Sequence, residues 1–416
     1  MKAKGFTTRS LHADRLLNTA KLGTPEHGSM HKPIHTSVAY SYESSSELVE
    51  TFQGKRAGYA YARQSNPTTD ALEFKLLDME GGGAGCIGFS TGMSAIGALQ
   101  QALLIPGDHV VATRFLFGNT NSMLLSWERF GVGVTRIDPT KAEELEGAIN
   151  EKTKLVFVET IGNPVTQVAD LKSLGEICKR KGILFVVDST MTSPFLVQPR
   201  NFGADIIIHS LTKFIGGHGN ALGGALIDTG LFDWTTFSNI QDIYKKGDPK
   251  GWGILQLRKK GLRDYGASLS ATNAHAISIG TDTLALRQTQ SSKNALAIAE
   301  LLEANPSVSK VFYPGLKSHP QHELAMELYG CGGSLLSFEL VDGVDCLELL
   351  DKLELVASSS NLGDNRTLGI PVAHTIFFEM GPDCRKDMGI GDSMIRLSVG
   401  IEDTDDLLQD FTEALA

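Results

Sequence analysis

The stretch from Phe185 to Gly219 reads FVVDSTMTSPFLVQPRNFGADIIIHSLTKFIGGHG. It holds two short apolar runs that each end in groups able to carry chemistry. The first closes on Asp188, and the second on Ser210, Thr212 and Lys213. Short, β-branched, nearly continuous apolar runs suit strands covered on both faces, as in a parallel sheet. The same texture recurs at HVVATR (109–114), LVFVET (155–160) and GALIDTG (224–230). Between two of these runs, LKSLGEICKRKG (171–182) sets Leu171, Leu174, Ile177 and Cys178 at helical spacing and stops at Gly182. Strand, helix, strand at this rhythm predicts βαβ units and an α/β fold with a mostly parallel sheet. All four chemistry-bearing residues then fall at the carboxyl edge of that sheet, where open α/β folds bind ligands.

The flanks differ in character. Residues 1–62 are polar, rich in Ser, Thr and His, and predict an extended arm with one short helix. TDALEFKLLDM (69–79) places Leu72, Leu76 and Met79 on one helical face, and Glu80-Gly81-Gly82-Gly83 ends it. Beyond about residue 266 a long helix is expected over 283–304. Alternating strands follow at SLLSFEL (334–340) and MIRLSVG (394–400), then a closing amphipathic helix carrying Leu407, Leu408, Phe411 and Leu415. The expected division is an arm (1–62), a large α/β domain (63–265) and a smaller α+β domain (266–416). IYKKGDPKGWG (243–253) predicts an inserted surface loop.

Bulk properties narrow the function. The chain's 416 residues suffice for two or three domains and a large core. Its 38 Lys+Arg against 48 Asp+Glu leave a net charge of −10, the wrong sign for tracking phosphates, so nucleic acid is not an expected partner. No run of 18 apolar residues and no signal-like segment occurs, so the expectation is a cytoplasmic protein with no membrane partner. Five widely spaced cysteines without a C-x-x-C pair argue against a disulfide framework and a structural zinc. The 44 glycines, well above the usual share of about 7 %, fit many tight turns and close backbone approaches to a ligand.

Gly83-Ala84-Gly85-Cys86-Ile87-Gly88 satisfies G-x-G-x-x-G, but it follows a helix and leads into a strand, AGCIGF (84–89). A dinucleotide fingerprint needs the opposite order. Phe89-Ser90-Thr91-Gly92-Met93-Ser94-Ala95 is the better glycine site, because a strand turning through Ser/Thr-Gly into a helix presents free N–H groups to an anion. An ordinary cap by Ser90 or Thr91 is the plainer reading of that segment alone. An amine and a carboxylate at one strand edge point to Schiff-base chemistry. Lys213 would condense with an aldehyde, Asp188 would keep a pyridine nitrogen protonated, and Ser210 and Thr212 would offer hydroxyls to a phosphate. His209 and His218 lack the spacing and the neighbours of a metal site, so no metal is expected.

These motifs resemble the Cys/Met-metabolism family of enzymes dependent on pyridoxal 5′-phosphate (PLP), which includes cystathionine γ-synthases, cystathionine lyases, methionine γ-lyases and homoserine-ester sulfhydrylases. The resemblance runs nearly end to end, through FTTRSLH (6–12), YAYARQSNPT (59–68), STGMSAI (90–96), VETIGNP (158–164), SNLGD (360–364) and IRLSVGIED (395–403). It implies the aspartate-aminotransferase-like fold (fold type I) and PLP as cofactor. Lys213 then resembles the Schiff-base lysine and Asp188 the partner of the pyridinium nitrogen. Thr91, Gly92, Met93, Ser210 and Thr212 look like the phosphate cradle, and Glu159 and Asn163 match positions that support the ring. Arg396, with Ser360 and Asn361 beside it, resembles the clamp on the substrate carboxylate. Tyr61 and Arg63 resemble a pair that reaches the phosphate of a neighbouring subunit, which implies a homotetramer built from dimers with shared active sites.

Several departures bear on the reaction. Phe117 stands where the family usually has a tyrosine, so the stacking ring is kept and its proton donor is lost. Lys213 or a tyrosine from elsewhere would then have to supply the proton, unless the leaving group needs none. Asn119 stands where methionine γ-lyases typically carry cysteine. Asn361 before Leu-Gly-Asp is closer to the sulfhydrylase pattern, and AHTIFFEM (373–380) leaves substrate choice open. The expected function is C–S bond chemistry at Cγ or Cβ of a small amino acid such as cystathionine or a homoserine ester. γ-Replacement on an activated homoserine leads, with cystathionine β- or γ-lyase second. Aminotransfer, or an idle PLP-fold binding protein, comes further behind.

Overall fold

The computed structural model describes residues 4–16 and 28–416. The arm contributes two helices rather than one, α1 (Phe6–Leu16) and α2 (Ser45–Phe52). No residue of α2 is buried, and Val49 and Phe52 are exposed.

The first body of the fold opens with α3 (Pro67–Met79), whose N-cap Asn66 accepts a hydrogen bond from the Thr68 N–H while Pro67 takes the first helical position. Then follow β1 (Gly85–Phe89), α4 (Gly92–Leu103), β2 (His109–Thr113), α5 (Gly118–Arg129), β3 (Gly133–Ile137), α6 (Ala142–Ala148), β4 (Thr153–Glu159), α7 (Leu171–Lys181), β5 (Leu184–Asp188), β6 (Ile206–His209) and β7 (Gly224–Asp228). α7 stops at Gly182, which takes the left-handed conformation. The seven strands form one sheet in the order β1-β7-β6-β5-β4-β2-β3.

Successive strand residues feed two apolar layers. Leu184, Val186, Ile206 and Ile208 pack into one layer, and Phe185, Val187 and Ile207 into the other. This accounts for the continuous apolar runs, since neither face meets water. β3 escapes such a reading because it is a half-exposed edge strand, GVTRI. One expectation needs correction: β7 is antiparallel to both neighbours, and the other six strands share one direction. The link between β6 and β7, residues 210–223, contains no helix to cross a sheet face, so the chain returns directly alongside. That link is the Lys213 segment.

A second sheet, ordered β10-β11-β12-β9-β8, is built from β8 (Val308–Phe312), β9 (Leu335–Leu340), β10 (Ala357–Ser358), β11 (Leu368–Pro371) and β12 (Ile395–Ser398). The helices Leu284–Ala304 and Thr404–Ala414 pack Ile298, Leu302, Leu407 and Phe411 against Leu336, Phe338 and Leu397. The stretch 243–253 is not a plain loop. It carries short helical turns and buries Tyr244, while Ile243 stays exposed. Among the described residues, no helix is long and apolar enough to cross a membrane.

Candidate active site

The carboxyl ends of β4, β5 and β6 open into a cavity of about 650 Å³. Glu159 and Asp188 end β4 and β5 and face each other directly in the parallel register. The Thr190 N–H donates to Asp188 Oδ1 at 3.0 Å, and the Phe117 N–H donates to Glu159 Oε1 at 2.9 Å. Burial pushes Glu159 up to about 8, with a further contribution from the Asp188 charge. Asp188 is raised as well, chiefly by burial, and the Thr190 hydrogen bonds and the His209 side pull against that. Two carboxyls this close in a dry site resist carrying two charges, so a single cation facing them would be strongly held.

Lys213 follows β6 in a tight turn. Its Nζ donates to Asn361 Oδ1 at 2.7 Å, and burial followed by the Arg396 charge lowers the amine to about 8. Arg396, on β12, is only 1 % exposed. Its Nη1 donates to Asn163 Oδ1 at 3.3 Å, and its Nη2 to the Ser360 and Asn361 carbonyls at 3.2 and 3.0 Å. Its Nε is buried without a partner, and no carboxylate among the described residues pairs with the guanidinium. Burial lowers it to about 10, which leaves it charged at neutral pH. A buried cation with an unused donor, opening on a cavity, is suited to a carboxylate from solution.

At the other end of the cavity, Thr91 caps α4: its Oγ1 accepts from the Ser94 N–H at 3.0 Å. Gly92 opens α4 directly against Ser210, where a Cβ would stand 2.8 Å from the Ser210 Cβ. A helix N-terminus with a glycine so placed is an anion cradle with backbone access. The Ser210 N–H is itself held by Thr190 Oγ1 at 2.8 Å. The Thr212 hydroxyl is spent on Gly223, donating to its carbonyl at 3.2 Å and accepting from its N–H at 3.1 Å.

The structure thus brings Thr91, Gly92, Met93, Phe117, Glu159, Asn163, Asp188, Ser210, Thr212, Lys213, Ser360 and Arg396 around one cavity, with Asn361 reaching Lys213. Tyr61 and Arg63 lie outside it. The Arg63 guanidinium sits over the Tyr61 ring and bonds the Arg263 carbonyl. No tyrosine of the described residues lines the cavity, so none from this chain replaces the hydroxyl that Phe117 lacks. His374, Phe378 and Glu379 complete the rim, and the Ile376 carbonyl approaches Gly118 beside Phe117. Sequence reasoning left 373–380 without a role because its approach to Phe117 spans more than 250 positions.

His209 is a core residue, with Nε2 2.6 Å from Glu80 Oε1 and Nδ1 buried without a partner, and no group among the described residues could hold a metal. The G-x-G-x-x-G segment runs from the end of α3 into β1, the order expected of a structural turn.

The large sheet with its second, smaller sheet, and an amine and two acids lining one cavity at its carboxyl edge, are the architecture of the fold type I PLP-dependent enzymes. Residues 14–416 match the family described as Cys/Met metabolism PLP-dependent enzyme, and the chain belongs to it. It is 35 % identical to an O-acetyl-L-homoserine sulfhydrylase of Leptospira meyeri over 92 % of this chain and 91 % of that protein. It is 36 % identical to an O-succinylhomoserine sulfhydrylase of Pseudomonas aeruginosa over 94 % and 92 %. Among solved structures, a Campylobacter jejuni protein described as an O-acetylhomoserine (thiol)-lyase, determined with a pyridoxyl-lysine monophosphate, superposes with a TM-score of 0.91. That match has 32 % identity and covers 99 % of this chain and 100 % of the other. The protein is therefore a PLP-dependent enzyme of sulfur amino-acid chemistry. Its residues fit that cofactor on two structural grounds: a cradle at Gly92 that a Cβ would fill, and an amine and an acid on neighbouring strand ends.

Proposed function

We propose that this enzyme performs γ-replacement, exchanging the ester group of an activated homoserine for a thiol. The observation that carries this reading is the Phe117 wall, which offers stacking area and no phenol hydroxyl. A carboxylate leaving from an ester needs little protonation, whereas a thiolate leaving from cystathionine needs more. Homoserine-ester sulfhydrylases among the relatives support the same reading.

Lys213, Asp188, the Gly92 and Met93 N–H groups and Ser210 would hold the cofactor, with the Phe117 ring against it and Glu159 and Asn163 alongside, while the Thr212 hydroxyl stays on Gly223. When bound, PLP supplies an aldehyde that joins the substrate amine and a ring that accepts the electron pair left at Cα. Arg396 binds the substrate carboxylate and fixes the orientation of Cα. Lys213 Nζ, lowered to about 8 by its dry setting, accepts the Cα proton. Asn361 Oδ1 holds the resulting ammonium, and Asp188 holds the proton on the ring nitrogen.

The rim favours an uncharged ester. Lys213 and Arg396 are the only Lys or Arg of the described residues lining the cavity, and the remaining wall adds Glu379. An acyl group ending in a carboxylate would meet that acid rather than a cation, at a cost in affinity. Assembly completes the site: Tyr61 and Arg63 reach the phosphate of a neighbouring subunit within a homotetramer. Their place outside their own cavity, the exposure of Tyr61, and the exposed Val38, whose carbonyl bonds the Ala62 N–H between them, support this.

The test is incubation of the purified enzyme with O-acetylhomoserine, O-succinylhomoserine or cystathionine, with and without sulfide. The expected result is sulfide-dependent homocysteine formation, faster from the acetyl ester. Faster cleavage of cystathionine without thiol would replace this reading with a lyase.

A further inference from the structure

Arg287 lies outside the cavity, on the helix Leu284–Ala304, and is 7 % exposed. Among the described residues no carboxylate pairs with it. Its donors go instead to neutral oxygens. Nη1 donates to the Phe214 carbonyl at 2.6 Å, and Nη2 to the Ile215 and Gly280 carbonyls at 3.1 and 2.7 Å. Nε donates to Thr283 Oγ1 at 3.1 Å. Two of the three carbonyls belong to the residues one and two positions after Lys213.

That segment is a single turn that never becomes a helix. The Lys213 N–H bonds the Ser210 carbonyl at 3.1 Å, Gly216 returns to Leu211 at 2.9 Å, and Gly217 returns to Lys213 at 2.8 Å. With no following helical turn, the Phe214 and Ile215 carbonyls would be buried without partners, which is unfavourable. The guanidinium fork satisfies both at once, which an ammonium cannot do in the same geometry. Gly217 makes room for it: the residue has φ +72°, and a Cβ there would collide with Nη1. On the opposite side, the Gly363 backbone packs against the Phe214 N–H while Asn361 holds Nζ. The turn is gripped from two sides, and Arg287 holds it from outside the cavity.

We propose that Arg287 is a positioning residue for Lys213, presetting the turn so that Nζ faces the cavity before any ligand arrives and returns there whenever the amine is released. The inference rests on Lys213 being the cofactor-bearing lysine. That reading fails separately, if Lys213→Ala captures PLP as the wild type does.

The experiment prepares Arg287→Lys, Arg287→Met and Thr283→Val, with Leu302→Ala as a stability control from the distant core. For each apoprotein, the rate of covalent PLP capture is followed by visible absorbance and borohydride trapping, well below its unfolding temperature. Both Arg287 variants are expected to capture PLP roughly tenfold or more slowly, since misplacement of about 1 Å can cost up to a hundredfold. The circular dichroism of the bound cofactor should weaken, and kcat should fall with KM nearly unchanged. Thr283→Val, which removes one acceptor, should fall between, and Leu302→Ala should lower Tm while capturing PLP normally. Wild-type capture rate and dichroism in a folded Arg287 variant would overturn the proposal. Should neither Arg287 variant fold, Thr283→Val decides alone, slowed capture supporting the role and unchanged capture overturning it.

Discussion

Lys213 Nζ and Asn361 Oδ1, 148 positions apart in the chain, stand 2.7 Å from each other across the mouth of the sheet. The amide accepts best from an ammonium, so it favours the charged lysine, while burial and then the Arg396 charge favour the neutral one and prevail, bringing the amine to about 8. Asn361→Ala should remove the acceptor, lower the amine further and slow turnover by about 10- to 100-fold, the range of a hydrogen bond to a charged group. Steady-state kinetics across pH check this, and a rate within twofold of wild type would mean the contact does not matter.

Covalent capture of PLP by the apoprotein needs the neutral amine. Because the Lys213 amine is lowered to about 8 rather than left at the ordinary lysine value, capture should accelerate from pH 7 to 9 and then level off. Stopped-flow absorbance measures it. A rate still climbing at pH 10 would show that the dry setting does not lower the amine.

Lys213→Ala should abolish covalent cofactor binding and turnover together while the far-ultraviolet dichroism stays unchanged. Borohydride reduction followed by mass spectrometry locates any remaining adduct.

Arg396→Lys keeps the charge and loses the planar fork. KM for the amino-acid substrate should rise by roughly 10- to 100-fold with the cofactor spectrum intact, because a point charge cannot grip a carboxylate with two parallel bonds. An unchanged KM would place the substrate carboxylate elsewhere.

Phe117→Tyr restores a phenol to the wall beside the leaving group. If thiolate departure is limited by the missing donor, cystathionine cleavage should rise, and an unchanged rate removes that argument.

Arg63→Ala and Lys213→Ala should each be inactive alone and recover activity on mixing. Random pairing leaves about a quarter of the sites intact if Arg63 serves a neighbouring subunit. No recovery after subunit exchange would confine Arg63 to its own chain.

Much of this molecule is written locally. Continuous apolar runs declare strands buried on both faces, the 171–182 period and Gly182 declare a helix and its stop, and Asp188 and Lys213 sit at run ends where a parallel sheet must open. These features survive because neighbours in sequence supply the physics: side-chain alternation, helical spacing and turn chemistry. What depends on distant partners was not legible. Strand direction at β7 follows from the missing crossover helix, and β3, a half-exposed edge strand, buries too little to show a continuous apolar run.

The sequence by itself determined the chemistry available, an amine, two acids and an arginine, and the order of the elements that carry them. Only the tertiary structure decided that Arg396 is buried with no carboxylate partner among the described residues, that Thr212 has already spent its hydroxyl on Gly223, and that Arg287 closes the carbonyls behind Lys213. The reason is physical: which polar groups are satisfied and which are left for a ligand depends on who arrives from across the fold, and that is settled by packing.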